Sequence, residues 1–198
     1  MYAEYVRNIN RLLEALVVTN QAGEQYSVQD GFDTWVKCTH DVSIKKQVMH
    51  MVGNGASATM ASHMAADASK NGQIRARAYN DAALLSAVGN DLAYEEVFAM
   101  PIDHFGDADD VLITISSSGN SPNIIRAIEA ARKVGMQIIT LSGMKENNRS
   151  RSLGDINFFI PGATYGLVEC THQIVLHYWL DLYITRHINS IPKTLQLP

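Results

Sequence analysis

Beyond residue 45 the chain alternates between two kinds of apolar pattern. Short runs rich in β-branched residues fall at 47–52, 74–79, 111–115, 137–141 and 156–160, each separated from the next by a segment with helical periodicity. Strands that recur singly between helices favour parallel pairing, because parallel neighbours need crossover connections and helices supply them. The expectation is an α/β fold: a three-layer α/β/α sandwich around a five-stranded, mainly parallel sheet. Ahead of it, residues 2 to about 44 read as helical. Tyr5, Ile9, Leu12, Leu13, Leu16 and Val17 fall on one stripe, and Phe32, Trp35 and Val36 begin another.

A chain of 198 residues with 46% apolar content can fill one core. No repeat, low-complexity tract or long linker divides it. One domain over 1–198 is expected, with N-terminal helices at 1–44 and the α/β core at 45–198. A formal net charge of −4 and no Lys/Arg cluster argue against nucleic acid and anionic membrane surfaces as partners. The apolar stretches stop well short of the ~20 residues of a membrane span, and MYAEYVRN lacks an export-signal pattern. Cys38 and Cys170 are too few for a disulfide framework, so a reducing cytoplasm is the expected location.

In open α/β sheets ligands bind beyond the carboxyl ends of the strands. That rule singles out VGNGAS, NDAALLSAVGND and, above all, ISSSGNSPNI at 115–124. Pro122 suits the first turn of a helix expected over 123–134. A helix N-terminus offers free backbone N–H groups and partial positive charge. Ser116, Ser117, Ser118 and Ser121 add hydroxyl donors without bulk, and Gly119 and Asn120 tolerate the left-handed angles that wrap amides around an anion. Such a loop can cradle a phosphate. The plainer reading makes Ser121 an ordinary N-cap and the rest a polar turn. A second glycine/serine turn, GNGAS at 53–57, faces the same crevice and favours the cradle. Neither turn is G-x-G-x-x-G and no P-loop lysine follows, which disfavours a dinucleotide or ATP.

The helix after GNGAS carries His63 and Asp67 four residues apart, on one face and about one turn from each other. This pair could share a divalent metal, act as acid and base around one substrate, or be a solvated surface pair. The last long helix contributes YGLVECTHQIVLHYWL, with Glu169, His172 and His177. Met49, Met51, Met60 and Met64 are expected to fill core space, and Trp35, Tyr178 and Trp179 to pack layer or subunit interfaces. Cys170 is expected to be an inert buried thiol.

GNGAS, VGND and ISSSGNSPNII together resemble the sugar isomerase (SIS) domain family, and nearly the whole chain resembles its sedoheptulose 7-phosphate isomerase branch. The resemblance implies the flavodoxin-like SIS fold. It also implies an aldose–ketose isomerase that converts sedoheptulose 7-phosphate to D-glycero-D-manno-heptose 7-phosphate through an enediolate. Carried over by position, phosphate contacts fall on Ser116, Ser117, Ser118 and Ser121, and further substrate contacts on Asn54, Gly55, Ala56, Ser57, Asn90, Asp91 and Glu169. The family's metal positions fall on His63, Asp67, Glu169 and His177, implying one zinc ion per subunit. Its catalytic base falls on Asp67 and the acid partner on His177, with His172 between them structural. The family also implies a homotetramer with shared active sites.

The match has departures. Asp67 stands where relatives have glutamate, Glu169 where they have glutamine, Met60 for an aspartate and Leu167 for a basic residue. Glu169 and His177 are separated by about 12 Å along a straight helix, at 1.5 Å per residue. Both grip one ion only if Glu169 lies at a frayed helix start or a neighbouring subunit supplies one of them. Two further readings use the same loops. One is an isomerase of another ketose phosphate; the other is a non-catalytic SIS module that binds a phosphosugar or a protein, as the replication-initiator binders do.

Overall fold

The structure is a computed structural model that describes residues 1–188. The chain opens with helix α1 (Tyr2–Glu14), a hairpin of β1 (Val17–Asn20) and β2 (Gln25–Tyr26), and helix α2 (Val28–Lys45). Then come β3 (Met49–Gly53), α3 (Ala56–Lys70), β4 (Ala76–Ala78), α4 (Ala82–Asp91), α5 (Ala99–Phe105) and β5 (Val111–Ser116). The described chain finishes with α6 (Pro122–Val134), β6 (Gln137–Gly143), β7 (Ile156–Ile160) and α7 (Tyr165–His187). The seven strands among the described residues join one sheet in the order β2-β1-β7-β6-β5-β3-β4. The five expected strands are its parallel part.

The sheet has seven strands rather than five because the first 44 residues are not all helical. Val17, Val18 and Thr19 are β-branched and stiff at χ1, which suits a pleated surface better than the continuation of α1. Gly23, at φ 83°, and Asn20, whose side chain accepts from the Glu24 amide at 2.9 Å, close the turn. β1 then pairs antiparallel with β7, Val18 opposite Phe158. The hairpin covers an edge that would otherwise present unpaired backbone groups.

Side chains alternate across the sheet into two cores. Val111, Ile113 and Ile115 pack with α2, α3 and α7, whereas Leu112, Val52 and Ile138 pack with α5 and α6. The first core centres on Trp35 and Trp179, both fully buried and stacked at 4.7 Å. Met49, Met51, Met60 and Met64 are buried there as expected. Near the amino ends of the strands, buried His50 bridges the Tyr79 hydroxyl at 2.6 Å and the Asp110 carboxylate at 2.9 Å. Burial pushes the Tyr79 phenol up to about 12. The expectation for Cys170 fails, since that thiol is exposed. It shares the outward stripe of α7 with Ile174 and Tyr178, four and eight residues on, both also exposed. No helix among the described residues is long and apolar enough to cross a membrane.

Candidate active site

β3 and β5 are neighbours in register, Gly53 opposite Ile115, so the turns that follow them open side by side at the carboxyl edge of the sheet. Between them lies a cavity of about 160 Å³, walled by Asn54, Ser57, Ile115, Ser116, Ser117, Ser118, Ser121, Tyr165 and Glu169. Among the described residues the serine turn leaves its hydroxyl protons uncommitted: Ser116 and Ser118 only accept, from the Gly119 amide at 3.2 Å and the Asn120 amide at 3.3 Å. Ser121 is the N-cap of α6, yet its side chain makes no capping bond, and Pro122 takes the first helical position without an N–H to satisfy. The Ser117 hydroxyl is buried and has no partner among the described residues. A buried unpaired hydroxyl costs free energy that a ligand oxygen would recover.

Gly119 makes the turn possible. Its φ is +62°, its N–H bonds the Ser116 carbonyl at 3.0 Å, and its carbonyl accepts from Ser150 at 2.9 Å. The Asn120 side chain accepts from the Arg149 amide at 2.9 Å. The segment before β7 thus braces the loop from behind. No lysine or arginine is among the cavity walls. An anion here is met by hydroxyls, amides and the α6 dipole rather than by a counter-charge.

Two helices, α3 and α7, start at this cavity and run on together, with the Gln173 amide reaching the Met64 sulfur at 3.5 Å. Further along them, His63, Asp67 and His177 each offer a donor atom, and these atoms lie within 4.8 Å of one another. The Nε2 atom of His63 is 3.4 Å from Oδ2 of Asp67. The His63 and His177 rings meet edge to face at 5.4 Å. Two histidines and a carboxylate are a donor set of the kind that catalytic zinc takes, so these side chains could hold such an ion.

Of the residues singled out in the sequence, Asn54, Ser57, Ser116, Ser117, Ser118, Ser121 and Glu169 line one cavity. Gly55, Ala56, Asn90 and Asp91 are not among its walls; Asn90 and Asp91 are exposed at the end of α4, bonded to each other at 2.8 Å. Glu169 lies within regular helix, not at a frayed start, and is not in the His63 group. His172 is fully buried, with Nε2 3.1 Å from the Ser142 carbonyl, and burial holds it down to about 4, so it stays neutral and structural. Sequence reasoning missed Tyr165, which opens α7 onto the cavity, and Asn123 and Tyr94, which bond Asn54. Asn123 carried a signal: a polar residue one position past the N1 proline of an otherwise apolar helix face.

The SIS domain family matches residues 4–143. The chain belongs to this family. Phosphoheptose isomerase of Helicobacter pylori is 34% identical over 141 residues, 68% of this chain and 72% of that protein. Phosphoheptose isomerase of Sodalis glossinidius is 36% identical over 173 residues, 83% and 86% of the two chains. Among solved structures, phosphoheptose isomerase GmhA from Neisseria gonorrhoeae superposes with a TM-score of 0.79 at 25% identity, covering 93% of this chain and 95% of that one. The serine turn of this SIS domain therefore sits in a fold shared with phosphosugar enzymes over nearly its full length.

Proposed function

We infer that this SIS domain protein is a phosphosugar isomerase that interconverts sedoheptulose 7-phosphate and D-glycero-D-manno-heptose 7-phosphate. One observation carries the reading: the serine cavity and the His63/Asp67/His177 group share two helices at a separation that fits the substrate. From Ser57 to His63 is about 9 Å of helix, and from Glu169 to His177 about 12 Å, at 1.5 Å per residue. An extended seven-carbon chain with its phosphate spans roughly 10 Å, given carbon–carbon bonds of about 1.5 Å. The phosphate end rests in the serine turn and the reacting carbons reach the histidines.

Isomerisation moves a proton between adjacent carbons through an enediolate. Asp67 is assigned as the base. Its Oδ2 faces His63, while Oδ1 meets, among the described residues, a single long approach from Asn71 at 3.5 Å and would take the proton from C1 and return it at C2. His177 is the acid partner that moves a proton between the two substrate oxygens. A zinc ion, one per subunit, would be held by His63, Asp67 and His177 and would supply Lewis-acid polarisation of the carbonyl oxygen. Ser116, Ser117, Ser118 and Ser121 bind the phosphate. Asn54, Gly55, Ala56, Ser57, Asn90, Asp91 and Glu169 are assigned to the rest of the substrate.

Glu169 reaches a metal held by His63 and His177 only from a neighbouring subunit, because regular helix separates it from its own His177. A homotetramer with shared active sites accommodates that, and the exposed stripe of Cys170, Ile174 and Tyr178 beside His177 supplies apolar surface for it. A single domain in the cytoplasm, where Cys38 and Cys170 stay reduced, completes the reading. The test is to add sedoheptulose 7-phosphate to the purified protein with zinc and follow the aldose phosphate by NMR. Turnover is expected; a phosphosugar complex without turnover would favour the non-catalytic module instead.

A further inference from the structure

Asn54 lines the cavity, but its side chain is held from behind. Its Nδ2 donates to Oδ1 of Asn123 at 2.9 Å, and Nδ2 of Asn123 donates back to Oδ1 of Asn54 at 2.8 Å. The same Oδ1 accepts from the Tyr94 hydroxyl at 3.3 Å. Asn123 is buried, with 2% exposure, on a face of α6 otherwise made of Ile124, Ile125, Ala127 and Ile128. A primary amide placed among aliphatic side chains is costly unless paired, and its partner here is the amide of Asn54, 69 residues away in the chain. The inventory is then closed on one side. A side-chain amide has two N–H donors and one carbonyl oxygen. The oxygen of Asn54 has two donors, one N–H is committed to Asn123, and among the described residues one N–H is left over on a residue that walls the cavity.

We propose that Asn123 is a positioning residue for substrate recognition: it orients the Asn54 amide so that its remaining N–H meets an oxygen of the sugar, with Tyr94 as a second brace. The proposal rests on the sugar-phosphate reading given above. Asn123 also stands in the first turn of α6, directly behind the serine loop, so a merely structural role would disturb phosphate binding too. The two ends of the substrate separate these roles. Inorganic phosphate occupies the serine turn alone, whereas sedoheptulose 7-phosphate needs Asn54 as well.

The experiment measures, on the intact protein, KM and kcat for sedoheptulose 7-phosphate and the competitive inhibition constant of inorganic phosphate, for the unmodified chain and for Asn123→Ala, Asn123→Asp and Tyr94→Phe. Asn123→Ala and Asn123→Asp are expected to raise KM about tenfold, the scale of one lost directed hydrogen bond, with kcat and the phosphate constant within about twofold. Tyr94→Phe, which removes one hydroxyl from a side chain 61% exposed and so leaves the fold intact, is expected to raise KM about threefold in the same pattern. Equal weakening of sugar phosphate and inorganic phosphate by the Asn123 variants overturns the proposal, because Asn123 would then only support the loop. So does an unchanged KM in folded Asn123→Asp and Tyr94→Phe. An unmodified protein that neither binds nor turns over the sugar phosphate sinks the functional reading and this inference with it, whereas an active unmodified protein with insensitive variants sinks the inference alone.

Discussion

Gly119→Ala is the sharpest probe of the proposal that the serine turn cradles a phosphate. At φ +62° an alanine pays the left-handed penalty, about 1–2 kcal/mol. An added Cβ would also overlap the Asn148 amide and lie 2.9 Å from the Asn148 Cβ, whereas carbon atoms settle at about 3.5–4.0 Å. Asn148 cannot simply turn away. It is 3% exposed, its Nδ2 donates to the Lys145 carbonyl at 2.8 Å, and its Oδ1 accepts from the Arg151 amide at 3.0 Å. The loop must therefore move by about 1 Å or break one of these bonds, each worth about 1 kcal/mol. The expected total is a loss of about 2–3 kcal/mol of stability and, because a misplacement of about 1 Å can cost 10²-fold, a fall of about a hundredfold in kcat/KM. Gly135→Ala is the control: φ is +94°, but the nearest atom to an added Cβ is the Ala108 Cβ at an ordinary 3.6 Å, and the residue caps the far end of α6. It should lose about 1–2 kcal/mol with kcat/KM unchanged. Urea unfolding and inhibition by inorganic phosphate, measured for both variants, make the comparison. A Gly119→Ala protein that is no less stable than Gly135→Ala and binds phosphate like the unmodified chain would refute the argument.

Two further outcomes follow from the site and the core. Asp67→Asn should keep the affinity for inorganic phosphate within about twofold while lowering kcat by roughly 10²–10⁴, the range of a lost general base; loss of phosphate binding in that variant would mean that the two sites are not separate. His172 takes up its proton near 6.5 in the unfolded chain but near 4 in the folded one, so the unfolded state binds more protons between those values and stability falls as pH drops through 6.5, levelling below 4. That difference is worth about 2 kcal/mol between pH 7 and pH 5, and the loss should be correspondingly smaller in His172→Gln, read by urea titrations at the two pH values.

Much of this protein could be read along the chain. Short β-branched runs between helical segments determined the parallel part of the sheet, because the stiffness of such side chains and the stripe of a helix are local properties of the chain. The serine turn was legible for the same reason: Gly119, Ser121 and Pro122 act through their own dihedrals and hydrogen-bonding groups. Residues 17–26 were misread because Leu16 and Val17 continue the stripe of α1, and only the open edge of β7 makes that stretch a strand. Asn123 beside Asn54, His50 between Tyr79 and Asp110, and the meeting of His63 with His177 join positions 69, 29, 60 and 114 residues apart. No local rule reports such pairs. Glu169 and His177 make the point in reverse, since eight residues of unbroken helix send one to the serine cavity and keep the other with His63. The sequence determined which elements form and which turns can hold an anion; packing two helix layers onto a twisted sheet decided which distant side chains meet, because such contacts depend on the whole core closing at once.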